Sequence, residues 1–182
     1  MAKDSLNGTI VDLLMSVWLW CGLIICFVTL AFPQSEKPRP KFSDYAVQHI
    51  YRGKHAEPVL NKQQRMFRTR IREGAKSDVQ FGGHYTVPAW GCGSGCVAFV
   101  VVDSITGKVY DGTAVSSLPG DWIDEYKPPS TAPVEFCPAS RLLQINGCPS
   151  EHDCGLYDFV IVAGKGLKLI RKELLPRKYQ LE

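Results

Sequence analysis

A run of 20 residues without a charged side chain, from position 13 to position 32, constrains this chain more than any other feature. At about 1.5 Å per residue, a helix of this length spans about 30 Å, the thickness of the hydrocarbon core of a bilayer. The run also lacks the polar face of a helix packed on a soluble core. We therefore predict that residues 1–32 are a signal anchor that enters the membrane through residues 13–32. A cleaved signal peptide is the alternative, because Thr29, Leu30 and Ala31 form an acceptable cleavage site.

Charges and cysteines give opposite indications of where the remainder of the chain is located. Lys37, Arg39 and Lys41 follow the apolar run and only Lys3 precedes it, which by the positive-inside rule favours a cytoplasmic domain. Long domains, however, cross the membrane largely regardless of such charges, and a cysteine-rich domain suits an oxidising compartment. We expect the domain to be exported.

The remaining sequence predicts a linker followed by a single domain. Residues 33–41 are rich in proline and charge, which indicates an extended linker, and residues 42–182 are long enough for one hydrophobic core. A helix is predicted over residues 61–73, with Asn61 as N-cap and Gly74 as its end. One stripe of this helix is suited to cover a sheet; it comprises Leu60, Gln64, Phe67 and Ile71. The other positions carry Lys62, Arg65, Arg68, Arg70 and Arg72.

Period-two patterns of aromatic and β-branched residues predict strands from position 84 onward. The predicted strands cover residues 84–88, 96–102, 108–110, 141–145, 157–162 and 167–171. Turn residues at 103–108 and 163–166 predict two hairpins, and the proline-rich stretch 118–138 is expected to lie on the surface. Short strands with tight turns favour an α+β fold, a small antiparallel β-meander packed against one N-terminal helix and preceded by the single apolar segment.

Five cysteines belong to the domain, and their spacing favours disulfides over metal ligands. We expect Cys92 to pair with Cys96 and Cys148 with Cys154, which leaves Cys137 free, although the sequence alone allows other pairings. A zinc site is the alternative, but structural zinc sites usually separate paired cysteines by two to four residues, which three and five intervening residues match poorly. We predict no metal and no cofactor.

A catalytic role is the weaker interpretation of the same region. Cys92 or Cys96 could act as a nucleophile with His84 as its base, and the glycines between them could offer backbone amides to an oxyanion. That chemistry needs a free thiol close to the imidazole. A cysteine- and histidine-dependent hydrolase of the cell envelope is therefore the alternative function.

Four motifs between residues 66 and 112 resemble a family of small exported proteins of Gram-negative bacteria. They read RTRIRE, FGGHY, WGCGSGC and VVDSITGKVYDG, and a weaker similarity covers residues 140–143 and 157–170. In that family Ala usually stands at the position of Gly82, and the loop CPSEHDC is not part of the shared pattern. The resemblance implies a common scaffold at the bacterial inner membrane facing the periplasm, or periplasmic or secreted if residues 1–32 are cleaved. It implies no particular reaction.

We predict that this chain is a non-enzymatic binding module, of the inhibitor or immunity type, with a protein partner in the envelope. Binding modules use loops on a rigid scaffold, and the loops available here are 91–95 and 148–154. The candidate binding residues are Trp90, Gly93, Ser94 and His152. A net charge of +3 is too small to argue for nucleic acid, and no aromatic platform for stacked bases is evident. A purely structural envelope component is a third interpretation.

Overall fold

The computed structural model describes residues 38–149 and 153–180. The predicted anchor at 13–32, most of the predicted linker and the predicted binding residue His152 lie outside these ranges. Among the residues described, no helix is long and apolar enough to cross a membrane. The domain is an antiparallel β-sheet with few helices, which confirms the predicted α+β class.

In residues 38–149 and 153–180, eight strands form one sheet, and two short α-helices and three 3₁₀ turns accompany it. The strands are β1 Tyr85–Thr86, β2 Ala89–Gly93, β3 Cys96–Asp103, β4 Val109–Ser117, β5 Val134–Phe136, β6 Leu142–Pro149, β7 Gly155–Val162 and β8 Gly166–Leu174. The helices are α1 Arg68–Gly74 and α2 Gly120–Tyr126, and the 3₁₀ turns are Phe42–Tyr45, Gln64–Phe67 and Arg177–Tyr179. The sheet order is β1-β3-β4-β6-β7-β8, with β2 also paired to β3 and β5 to β6.

Strand β3 is covered on both faces, which explains its continuous run of valines. Phe99 and Val101 belong to the main core, which also takes residues from β1, β4, β6 and β7. Val100 and Val102 belong to a smaller cluster with Ile71 of α1. The predicted helix therefore does cover the sheet, with Ile71 of its apolar stripe fully buried.

The predicted helix begins as a 3₁₀ turn at Gln64 and continues without a break into α1, so that it covers residues 64–74. Asn61 fixes its start: the Asn61 side chain accepts the Gln64 N–H at 2.9 Å, and the Gln64 side chain accepts the Asn61 N–H at 3.0 Å. This reciprocal pair satisfies two backbone donors that the first turn would otherwise leave free.

The turn at Gly82 and Gly83 joins distant parts of the chain through its backbone. Gly82 N–H donates to Ser140 O and Gly83 N–H donates to Pro138 O, each at 2.9 Å, while Gly83 O accepts the N–H of Tyr51 at 2.7 Å. Both glycines have positive φ, at 54° and 83°, a region that other residues enter only at a cost. The glycine pair of the FGGHY motif is thus the point where three separate segments meet.

A buried polar cluster joins the last three long strands. Asp158 of β7 is fully buried; it accepts a hydrogen bond from the Gln144 amide at 2.7 Å and forms an ion pair with Arg171 at 3.3 Å. Because Gln144 is on β6 and Arg171 on β8, these side chains tie the strands together on the face away from the main core.

Two parts of the fold differ from the prediction. The stretch 118–138, expected to lie irregularly on the surface, contains helix α2 and strand β5, and Trp122 of α2 is buried. Residues 91–93, part of the loop expected at 91–95, belong to β2, which pairs with β3 up to the tip of the hairpin. In both cases proline or glycine interrupts the local pattern, while pairing with the following strand or packing in a core supplies the order.

Substitution of Gly83 by Ala should destabilise the domain more than substitution of Gly164 by Ala. Both residues have positive φ, but a Cβ at Gly83 would lie 2.6 Å from the carbonyl oxygen of His49, whereas nothing lies within 4 Å of one at Gly164. We expect Gly164→Ala to cost about 1–2 kcal/mol from backbone conformation alone, and Gly83→Ala about 3 kcal/mol or more. Urea unfolding of both variants measures the difference, and equal losses would contradict the role of the turn.

Candidate functional site

The first cysteine pair closes the tip of the β2–β3 hairpin. Cys92 and Cys96 form a disulfide, and Gly93 pairs with Cys96 so that only Ser94 and Gly95 make the turn. The N–H and hydroxyl of Ser117, at the end of β4, both donate to Gly95 O, at 2.8 and 2.9 Å. The exposed tip is therefore held by one covalent bond and by two hydrogen bonds to the neighbouring strand.

The second cysteine pair lies inside a small core of its own. Cys148 and Cys154 form a disulfide whose residues are both 0% exposed. The core around them contains Leu118, Trp122, Leu175 and Tyr179. Both disulfides fit the predicted pairing, and Cys137 is the free, half-buried cysteine of the domain.

Hydrogen bonds to Glu125 attach the C-terminal turn to this small core. The Tyr179 hydroxyl and the Lys178 ammonium both donate to the carboxylate of Glu125. These hydrogen bonds lower the pKa of Glu125, with that from Tyr179 the stronger cause. The turn Arg177–Tyr179 is thereby fastened to α2 above the buried disulfide.

The two disulfides lie at the same end of the sheet. Ser116 of β4 pairs with Cys96 on one side and with Cys148 on the other. Because neighbouring strands are about 4.8 Å apart, the backbones of these two cysteines are about 10 Å apart. The two loops predicted as binding sites thus begin side by side.

An open apolar cleft adjoins the hairpin that carries the exposed disulfide. The ring of Trp90 on β2 stacks on that of Phe67 at a centroid distance of 4.8 Å. The cleft has a volume of about 220 Å³, and its other walls come from β3 and from Gly112, Thr113 and Ala114 of β4. Met66 and Phe67 stand at its rim, 76% and 40% exposed. Three large apolar side chains therefore surround a concave surface that is open to solvent.

One polar pair closes an end of the cleft, and the helix beside the cleft carries exposed cations. The Gln64 amide, itself buried, donates to the carboxylate of Asp111 at 2.7 Å. The exposed cations on this helix and its preceding turn are Lys62, Arg65, Arg68, Arg70 and Arg72. Within the described ranges, none of these five forms an ion pair. The rim of the cleft is apolar, and the helix that forms one of its walls, with the residues just before it, carries five exposed cations.

The structure does not bring His84 near either cysteine of the exposed pair. His84 O accepts the N–H of Ser104, just beyond one end of β3, whereas Cys96 begins β3 at the other end. The eight residues of β3 put more than about 20 Å between them. Cys92 and Cys96 are bonded to each other, so neither is a thiol. The nucleophile and base of the alternative hydrolase are thus far apart.

The other predicted site residues have varied positions. Trp90 lines the cleft, and Gly93 and Ser94 are exposed at the hairpin tip. Across residues 38–149 and 153–180, no group of three or more His, Cys, Asp or Glu side chains could hold a metal.

Sequence reasoning missed Met66 and Asp111, and it assigned Phe67 to the buried stripe. The residue four positions before Phe67 is Gln63, which is polar. The absence of an apolar residue there is the sequence signal that this end of the stripe is open to solvent.

Comparison of the chain with protein-family models, with curated proteins and with solved structures found no match.

Alkylation without reductant should distinguish Cys137 from the other four cysteines of the domain. In denaturant, we expect a thiol reagent to label Cys137, and to label Cys92, Cys96, Cys148 and Cys154 only after reduction, because the four sulfurs are bonded in pairs. Peptide mass mapping locates the label, with Cys137→Ser as the control. Labelling of Cys92 or Cys96 before reduction would contradict the structure and restore the nucleophile hypothesis.

Proposed function

We propose that this chain is a non-enzymatic binding module of the bacterial cell envelope that recognises a protein partner, as an inhibitor or immunity-type protein. In this proposal residues 13–32 hold it at the inner membrane, or a signal peptidase releases it into the periplasm. The antiparallel sheet with helix α1 packed on it presents the binding surface. The family resemblance of residues 66–112 supports the same location.

The observation that carries the proposal is the exposed apolar cleft at Phe67 and Trp90. Large apolar side chains left in water cost free energy that a partner recovers by covering them, and aromatic side chains are frequent binding hot spots. Met66 adds a flexible apolar side chain that adapts to the shape of a partner. The volume of the cleft, about 220 Å³, has room for one or two side chains of a partner protein.

The braced tip next to the cleft supports the same function. A loop that is already ordered loses little conformational entropy on binding, and the Cys92–Cys96 bond together with Ser117 supplies that order. Gly93 and Ser94 have small side chains, so that a partner can approach their backbone closely. Cys148, where the other predicted binding loop begins, is about 10 Å from Cys96.

The disulfides support an extracytoplasmic location. Disulfides persist in oxidising compartments and are rare in the cytoplasm, where thiols are kept reduced. A fold with both cysteine pairs bonded is therefore best suited to the periplasm or to the cell exterior, and its partner would be found there.

Site-specific photo-crosslinking in intact cells tests the proposal. With benzoylphenylalanine at position 66, at the rim of the cleft, we expect a discrete crosslinked product between the chain and another protein. The control carries the same group at Ile105, which is similarly apolar and 52% exposed but lies in the β3–β4 turn. The product should disappear when Trp90→Ser is added, since this removes half of the aromatic pair.

Failure of the proposal would also be clear in this experiment. Equal crosslinking at positions 66 and 105, or none at position 66 in folded, oxidised protein, would show that the cleft does not bind a protein. Disulfide content of the purified variants verifies their folding.

A further inference from the structure

Part of the edge of β2 is open to an additional strand. The N–H of Val100 on β3 donates to Pro88 O at 3.0 Å, so the backbone of Pro88 is directed toward β3. Backbone groups alternate in direction along an antiparallel strand. The N–H and C=O groups of Ala89 and Gly91 are therefore directed away from β3, toward the outer side of the edge.

The preceding residues on the same edge have their outward N–H groups satisfied. Tyr85 N–H donates to Phe81 O at 2.9 Å, and Val87 N–H donates to the side chain of Gln80 at 3.0 Å. In the described part of the chain, no comparable hydrogen bond reaches Ala89 or Gly91. Both residues are exposed, and nothing lies within 4 Å of the Cβ position of Gly91.

The unpaired cations lie on the helix that covers this edge. Gly74 of α1 packs against Pro88, where an added Cβ would come within 2.7 Å, and Phe67 at the other end of the helix stacks on Trp90. The helix thus extends over β2, and its exposed arginines are close to anything that pairs with Ala89 and Gly91. An acidic segment is the charge complement of this surface.

We propose that β2 binds an extended acidic segment of a protein partner, which adds to the sheet as a strand at Ala89 and Gly91. One apolar side chain of the segment inserts beside Phe67 and Trp90, and its carboxylates face the arginines of α1 and the preceding turn. This inference rests on the proposed function and specifies the chemistry of the partner. Strand addition supplies affinity through backbone hydrogen bonds, and the apolar and charged contacts supply selectivity.

Two other occupants fit the same surface less well. A second copy of this chain pairing edge to edge would bring two sets of unpaired cations together, which repel each other. An anionic membrane would attract the cations but would leave the backbone groups of Ala89 and Gly91 without partners in an apolar medium. It would also face the Asp111 carboxylate.

Selection from a displayed random-peptide library against the full-length chain in neutral detergent tests the proposal. We expect the enriched peptides to be acidic with one aromatic or large aliphatic residue. N-methylation of alternate backbone amides in a synthetic copy should weaken binding at least about tenfold in one of the two registers only, since only one set of amides is directed toward β2.

Matched variants of the chain separate the contribution of the backbone hydrogen bonds to peptide binding from that of the charges. Ala89→Pro removes one outward N–H of the edge, and Ala163→Pro is its control, in the turn between β7 and β8. Arg65→Glu with Arg68→Glu reverses the charge beside the cleft, and Lys165→Glu is the control at an exposed distant cation. We expect the first of each pair to weaken peptide binding at least about tenfold and the controls to leave it unchanged. If Ala89→Pro does not fold, the N-methylated peptides test the same hydrogen bonds.

Several results would overturn the proposal. These are no enrichment, enrichment of neutral or basic peptides, or binding that survives both registers of N-methylation. Dimerisation of the chain that Ala89→Pro abolishes would assign the edge to a second copy, and binding to phosphatidylglycerol vesicles that Arg65→Glu with Arg68→Glu abolishes would assign the cations to lipid. If position 66 crosslinks to a protein while the selected peptides are not acidic, the binding function stands and this inference alone fails.

Discussion

Cys96 and Cys148 flank Ser116 across three adjacent strands, so that two sulfur–sulfur bonds brace neighbouring hairpin tips at one end of the sheet. The two bonds have different surroundings. The Cys148–Cys154 bond is buried among apolar side chains and holds α2 and the C-terminal turn on the sheet, while the Cys92–Cys96 bond is at the surface and orders only its own tip. The proposed binding surface depends on the Cys92–Cys96 bond. The fold beside that surface depends on the Cys148–Cys154 bond. Both bonds need an oxidising environment.

The cleft results from how one short helix covers one long strand. Ile71 and Ala75 cover Val100 and Val102, while the turn at the start of the helix reaches β4 through the hydrogen bond from Gln64 to Asp111. At this point a β-bulge puts one extra residue into β4, opposite the step from Ala98 to Val100 of β3, and the small residues 112–114 of β4 leave the space beside it unfilled. Phe67 therefore lies beyond the contact that Ile71 and Ala75 make with β3, and its ring stacks on Trp90. The exposed aromatic pair is a consequence of packing geometry on a sheet that is otherwise well filled.

Local signals in the sequence were sufficient for the hairpins at 103–108 and 163–166 and the capped start of the helix, and they favoured the two disulfide pairs without excluding other pairings, because each depends on residues close together in the chain. The contacts that define the site are not local. Gln64 donates a hydrogen bond to Asp111, which lies 47 positions later in the chain. Gly82 donates one to Ser140, which lies even further away in the sequence. Strand β2 carries two glycines, Gly91 and Gly93, which conceal its strand character until pairing with β3 is known. The glycine-rich motif predicted as a possible catalytic environment is instead divided between a structural junction at Gly82 and a braced tip at Cys92.

The location of residues 38–182 tests the account most directly, because the disulfides favour an oxidising compartment and the proposed envelope partner is found only outside the cytoplasm. Alkaline phosphatase fused to the C-terminus of the full chain is active only when it crosses the inner membrane, whereas a green fluorescent protein at the same position fluoresces only when it stays inside. The account predicts an active phosphatase, a dark fluorescent fusion, and four domain cysteines recovered as disulfides from intact cells. An inactive phosphatase with a bright fluorescent fusion, and the five domain cysteines all reduced, would contradict it.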